Sequence, residues 1–231
     1  MQLWNQEYLV KKFFIATKIW IEHYGYNETR KSVFESMRKL QTNYIDLVLL
    51  HQPFSDYYGA YRALEDLYLE GVIKAIVVSD FYPDRWIDLC SFSRIKTMAN
   101  QVETHPHFQQ IEAHKWMEKY GVVHEAWASF GEGRNGLFNE PVLVNIGKKY
   151  GKTSAQVMLR WAIERGIVVI PKSVHSDRMK ENMDVFDFKL SDKDKKEIST
   201  LDKGVSSFFF HSNPNMVEWF NMVEERKHNN E

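Results

Sequence analysis

One cysteine, Cys90, is all the sulfhydryl chemistry this sequence has, so an internal disulfide is excluded and a reducing compartment is expected. Charge of one sign is also missing: 30 Lys and Arg face 31 Asp and Glu, a formal net charge of -1. A nucleic-acid binder usually carries a basic stripe, so that class is disfavoured. No apolar run reaches membrane-spanning length, and no membrane partner is expected. Lys11 and Lys12 before FFIAT imitate a secretion signal, but Lys18 interrupts the run too early for one. The expected location is the cytoplasm. The final ERKHNNE is polar and reads as a frayed tail.

What is present is enough apolar material for a packed fold: 44% hydrophobic and 14% aromatic residues in a chain of 231. That length suits a single domain, taken as residues 1–231. Short apolar runs predict strands over 13–20, 45–51, 73–81, 97–105, 122–130 and 167–173, covered on both faces. Helical spacing falls between them, over 27–40, 58–69, 83–90, 109–119, 141–150 and 154–165, with a further helix over 191–201 capped by Ser191 and Asp194. Alternating strand and helix implies a parallel sheet. Nearly every strand ends in a residue fit for chemistry: Lys18, His51, Ser79 with Asp80, Gln101 with Glu103, Trp127 and Lys172. That distribution favours a (β/α)₈ barrel, whose sites collect at the C-terminal ends of many strands, over an open doubly wound sheet. Six strands are legible and a closed barrel has eight, so two N-terminal strand–helix units are expected to be absent.

Several signals have competing readings. Gly131–Gly136 spells G-x-G-x-x-G, but no prompt helix or later acidic residue supports a dinucleotide fingerprint, and a barrel loop is the better reading. The segment IPKSVHSDRMKEN brings Lys172 and Arg178 six residues apart, which suits a phosphate at a barrel's last strands or, equally, a solvated loop with Asp177 and Glu181 cancelling the charge. His105, His107 and His114 match no metal-ligand spacing. Glu103 is either a general base or a loop anchor. The aromatic stretch 206–220 either covers a pocket or packs as core.

TKIW, LLHQP, VVSDF, NQVETHP, EAWASF and IPKSVHSDRMKENMDVFDF, in this order, resemble successive motifs of the aldo-keto reductases. The resemblance runs from about residue 13 to beyond 201. It implies a (β/α)₈ TIM barrel, NADP as cofactor and NADPH-dependent reduction of small carbonyl compounds to alcohols, usually by a monomer. Lys18 and His51 match the catalytic lysine and histidine of an Asp, Tyr, Lys, His tetrad. Ser79 and Gln101 match the carboxamide site, with Asp80 where the family usually has asparagine. Trp127 falls where an aromatic stacks on the nicotinamide. Lys172, Ser173 and Arg178 match the grip on the 2′-phosphate, Glu181 and Asn182 the adenine contacts, and Trp20 with His51 the substrate pocket. The pattern D-T-A-x-x-Y, which carries the tetrad aspartate and tyrosine, has no counterpart; Tyr8 lacks motif support and Tyr24 is a speculative substitute. A chain without those groups is alternatively a non-catalytic NADP-binding module or an interaction remnant that associates through open sheet edges.

Overall fold

The structure, a computed structural model, describes residues 13–228. Lys11, Lys12, Tyr8 and the last three residues lie outside that range. The chain divides into two compact units, one of residues 1–100 and 211–231, the other of residues 101–210.

The first unit is built on three parallel strands, β1 (Ala16–Ile19), β2 (Leu47–Leu50) and β3 (Ile76–Ser79). β1 pairs with β2 and β2 with β3, Lys18 lying beside Leu49 and Leu49 beside Val77. Helices α1 (Tyr26–Leu40), α2 (Tyr57–Leu69) and α3 (Pro83–Ser91) return the chain between strands. Alternation along a strand divides its side chains between two faces. Leu49 and Val77 cluster with Ala99 on one face. Val48, Leu50, Ile76 and Val78 point the other way and are fully buried, as are Leu64 and Leu67 of α2 and Trp86 of α3. Asp56 caps α2 by accepting the Gly59 N–H at 2.8 Å, which satisfies one of the helix's unpaired donors. Arg30 of α1 grips Glu70 through two nitrogens, both at 2.9 Å, and ties α1 to the end of α2.

β1 departs from the expected strand buried on both faces. Ala16 and Lys18 are exposed and only Ile19 is buried, because β1 has a partner strand on one side only among the described residues. The tail departs as well: α9 (Pro214–His228) continues into the stretch expected to fray. Proline at its first position costs no hydrogen bond and fixes a helical φ.

In the second unit β4 (Ala99–Glu103), β5 (Val123–Trp127) and β6 (Val168–Val169) follow one another in chain order, with β5 and β6 parallel. β4 begins at the boundary between the units. α4 (Ile111–Tyr120), α5 (Pro141–Tyr150), α6 (Ser154–Glu164), α7 (Ser176–Met183) and α8 (Asp192–Ser199) complete it. Leu143, Ile146, Val157, Trp161, Leu190 and Ile198 pack into one core with Ala126 of β5. α8 starts with the expected capping box: Ser191 and Asp194 satisfy each other's backbone N–H. The expected strand over 167–173 shrinks to two residues. Pro171 has no N–H to give a ladder and pushes Ile170 out of it. Gly131–Gly136 forms no Rossmann helix. It belongs to a 3₁₀ segment, Gly131–Asn139, broken by left-handed backbone at Glu132, Gly133, Asn135 and Gly136.

Candidate functional site

In the first unit, Lys18 near the end of β1 and His51 just after β2 are brought together by parallel pairing. The His51 N–H donates to the Ile19 carbonyl at 3.1 Å. Burial, with the Lys18 charge nearby, pushes the His51 imidazole down to about 4, so it is neutral at pH 7. Trp20 stands edge-on to His51, ring centroids 5.0 Å apart. Phe220 of α9 lies 5.9 Å from Trp20 and 5.1 Å from Phe54, closing an aromatic wall beside His51. The resemblance assigns Trp20 to the substrate pocket. Sequence reasoning left Phe220 open between cover and core because nothing in the tail's composition fixes its partner.

Ser79 ends β3 and Asp80 follows it, and both are buried. Asp80 has φ 60°, a left-handed backbone that aspartate and asparagine tolerate better than most residues. Its carboxylate accepts the Ser79 hydroxyl at 3.4 Å and lies 3.3 Å from Nε2 of His211. Desolvation pushes His211 down to about 3, with the nearby Arg85 and His51 acting in the same direction, so this contact involves a neutral imidazole at pH 7. Tyr24 does not suit the role of substitute acid. It is buried, its hydroxyl donates to the Gln52 carbonyl at 2.8 Å and accepts the Gln52 N–H at 3.0 Å, and desolvation raises its pKa.

In the second unit the amide of Gln101 donates to the Glu125 carboxylate, and Trp127 packs against Phe208 at 4.9 Å. Ala128, directly after Trp127, is left-handed with φ 51°. Glu103 takes the anchoring role. Its Oε1 accepts the Ser207 N–H at 2.8 Å and its Oε2 accepts the Ser206 hydroxyl.

Lys172, Ser173, Arg178, Glu181 and Asn182 share the lining of one cavity of about 460 Å³ with the first residues of α6. Glu181 accepts the Thr153 hydroxyl, and Gln156 donates to the carbonyls of Glu181 and Asp184 at 3.2 and 2.7 Å, which fixes α7 against α6. Among the described residues, neither Lys172 nor Arg178 forms an ion pair with Asp177 or Glu181. Two unpaired cations beside a helix N-terminus form a setting for a doubly charged anion. Among the described residues no group of three His, Cys, Asp or Glu could hold a metal ion. None of the described helices is long and apolar enough to cross a membrane.

Residues 4–203 match the aldo/keto reductase family. A glyoxal reductase of Bacillus subtilis is 41% identical over 194 residues, which is 84% of this chain and 70% of the relative. A solved aldo-keto reductase from a Medee basin deep-sea metagenome superposes with a TM-score of 0.85 at 38% identity, covering 88% of this chain and 76% of that one. A silkworm (Bombyx mori) aldo-keto reductase solved with NADPH gives 0.82 at 30% identity, covering 86% and 67%. The chain belongs to the aldo/keto reductase family. Its fold is therefore that family's α/β barrel type, with six of the eight strands among the described residues.

Proposed function

We propose that this protein reduces small aldehydes and ketones to alcohols with NADPH. The observation that carries this reading is the cavity at α6 and α7, which gathers the five residues matched to the adenosine 2′-phosphate end of the cofactor and leaves Lys172 and Arg178 unpaired. A 2′-phosphate supplies the missing counter-charge, which favours NADPH over NADH. By resemblance, Ser79 and Asp80 in the first unit and Gln101 and Trp127 in the second are each matched to the nicotinamide end. Bound NADPH supplies the hydride that reduces the carbonyl carbon.

His51, neutral at working pH, donates a hydrogen bond to the substrate oxygen and polarises the carbonyl without carrying a charge itself. The nearby Lys18 cation stabilises negative charge as it develops on that oxygen. Trp20 and Phe220 flank His51 with aromatic surface and suit a small, weakly polar substrate. The relative named for glyoxal supports a reactive small aldehyde as the substrate class. Neither buried Tyr24 nor neutral His51 suits the role of proton donor. Buried Cys90, the lone thiol, suits work in a reducing compartment such as the cytoplasm.

The test is NADPH oxidation by the purified chain with glyoxal, beside a His51→Ala variant. Turnover that is lost in the variant supports the assignment. Equal turnover in both sinks the role of His51, and a folded protein that binds no NADPH sinks the reading altogether.

A further inference from the structure

Glu103, at the end of β4, is buried, and both of its oxygens are engaged. Oε1 accepts the Ser207 N–H at 2.8 Å and faces Nε2 of His105 at 2.9 Å, while Oε2 accepts the Ser206 hydroxyl. A carboxylate is costly to bury unless its lone pairs are satisfied, and here they are satisfied largely by one short segment of chain. The loop after β5 also holds this segment. Asn135 donates to the Ser207 hydroxyl at 3.1 Å, and Arg134 donates to the Ser207 carbonyl at 3.3 Å.

The residue that follows is Phe208. The Arg134 guanidinium lies 4.1 Å from its ring centroid, and the Trp127 indole lies 4.9 Å from it, centroid to centroid, with planes inclined by 55°. Trp127 is the last residue of β5, and left-handed Ala128 follows it at once. The indole's orientation then depends on what packs against it, and Phe208 is a ring in direct contact.

We propose that Glu103 is a positioning residue for the nicotinamide: it pins Ser206 and Ser207 so that Phe208 backs Trp127 and sets the plane of the indole. The inference rests on Trp127 being the residue that stacks on the nicotinamide. It assigns Glu103 an anchoring role in place of the general-base role, since its carboxylate is turned to Ser206, Ser207 and His105.

The test compares two ligands. NADPH carries a nicotinamide, and 2′,5′-ADP carries only the adenosine 2′-phosphate end. Phe208→Ala and Glu103→Gln are expected to weaken NADPH binding about 2–10-fold, the span of one stacked aromatic contact, while 2′,5′-ADP binds as in the parent. Phe208→Tyr restores NADPH binding. A general loosening of the unit would weaken both ligands equally, and that result overturns the proposal, as does unchanged NADPH binding in a folded Phe208→Ala protein. If Glu103→Gln fails to fold, Phe208→Ala and its tyrosine rescue decide alone. Failure of the parent protein to bind either ligand removes the cofactor reading itself, an outcome distinct from failure of this inference.

Discussion

The indole of Trp20 meets the imidazole of His51 edge to face, with ring planes inclined by 74°. Trp20 follows β1 and His51 follows β2, so parallel pairing of the strands sets this contact. Removing the indole leaves His51 free to turn. Trp20→Ala is expected to raise KM for a small aldehyde about 2–10-fold, the worth of one aromatic pair, with a smaller change for Trp20→Phe. Steady-state kinetics of both variants check this, and an unchanged KM in Trp20→Ala would remove Trp20 from the pocket. The pH profile tests the same site. With His51 held near 4, its protonation does not change between pH 6 and 8, so kcat/KM shows no histidine inflection there and falls only as pH approaches 4. An inflection near 6.5 that disappears in His51→Ala would contradict the depressed value.

Lys172 and Arg178 are expected to divide the cofactors between them. Charge-assisted hydrogen bonds contribute about 1.5–3 kcal/mol each, so either alanine variant should weaken NADPH binding roughly 10–100-fold while leaving NADH almost untouched. Binding titrations with both dinucleotides measure the ratio. A parallel loss for NADPH and NADH would show that these cations do not read the extra phosphate.

Stability should fall in mild acid through buried histidines. His124 is pushed down to about 3 by burial, with His114 and Arg165 adding to the effect, and it hydrogen-bonds Thr104 at 2.8 Å and His114 at 3.0 Å. His211 is depressed similarly. An unfolded histidine titrates near 6.5, so between about 6.5 and 3 the unfolded chain binds protons that the native protein does not. Stability is therefore full above pH 6.5 and declines as pH falls, by on the order of 1 kcal/mol per pH unit for each such histidine. Urea midpoints at pH 7 and 5 measure the decline. His124→Gln should make it shallower whatever its effect at pH 7, and an identical slope in the variant would count against this origin.

Much of the fold could be read from the sequence because its signals are local. The apolar runs around Leu47–Leu50 and Ile76–Ser79 and the cap at Ser191 each carry their own instruction. Features that depend on neighbours were harder to read. Lys18 sits in an apolar run but is exposed, because no spacing announces that a strand has a partner on one side only. Pro171 shortens β6, an effect legible in principle from the missing N–H. The cavity at α6 and α7 was legible only as a sequence cluster, Lys172 to Asn182, and its hydrogen bonding was not: that Glu181 turns to Thr153 follows from packing of α7 on α6. Glu103 could be narrowed to two roles, and only the position of Ser206 and Ser207, about a hundred residues downstream, separates them.

The left-handed backbone at Asp80 and Ala128 limits what evolution can write at these two positions. Each follows a strand-end residue assigned to the cofactor, and each sits where glycine is at ease, asparagine and aspartate are tolerated, and a β-branched side chain is excluded. A saturation library should therefore keep glycine and asparagine at position 80 and lose valine, isoleucine and threonine, even where their volume would fit. Which amino acids survive directly after Ser79 and Trp127 is thus decided by a torsion angle before any chemistry is selected.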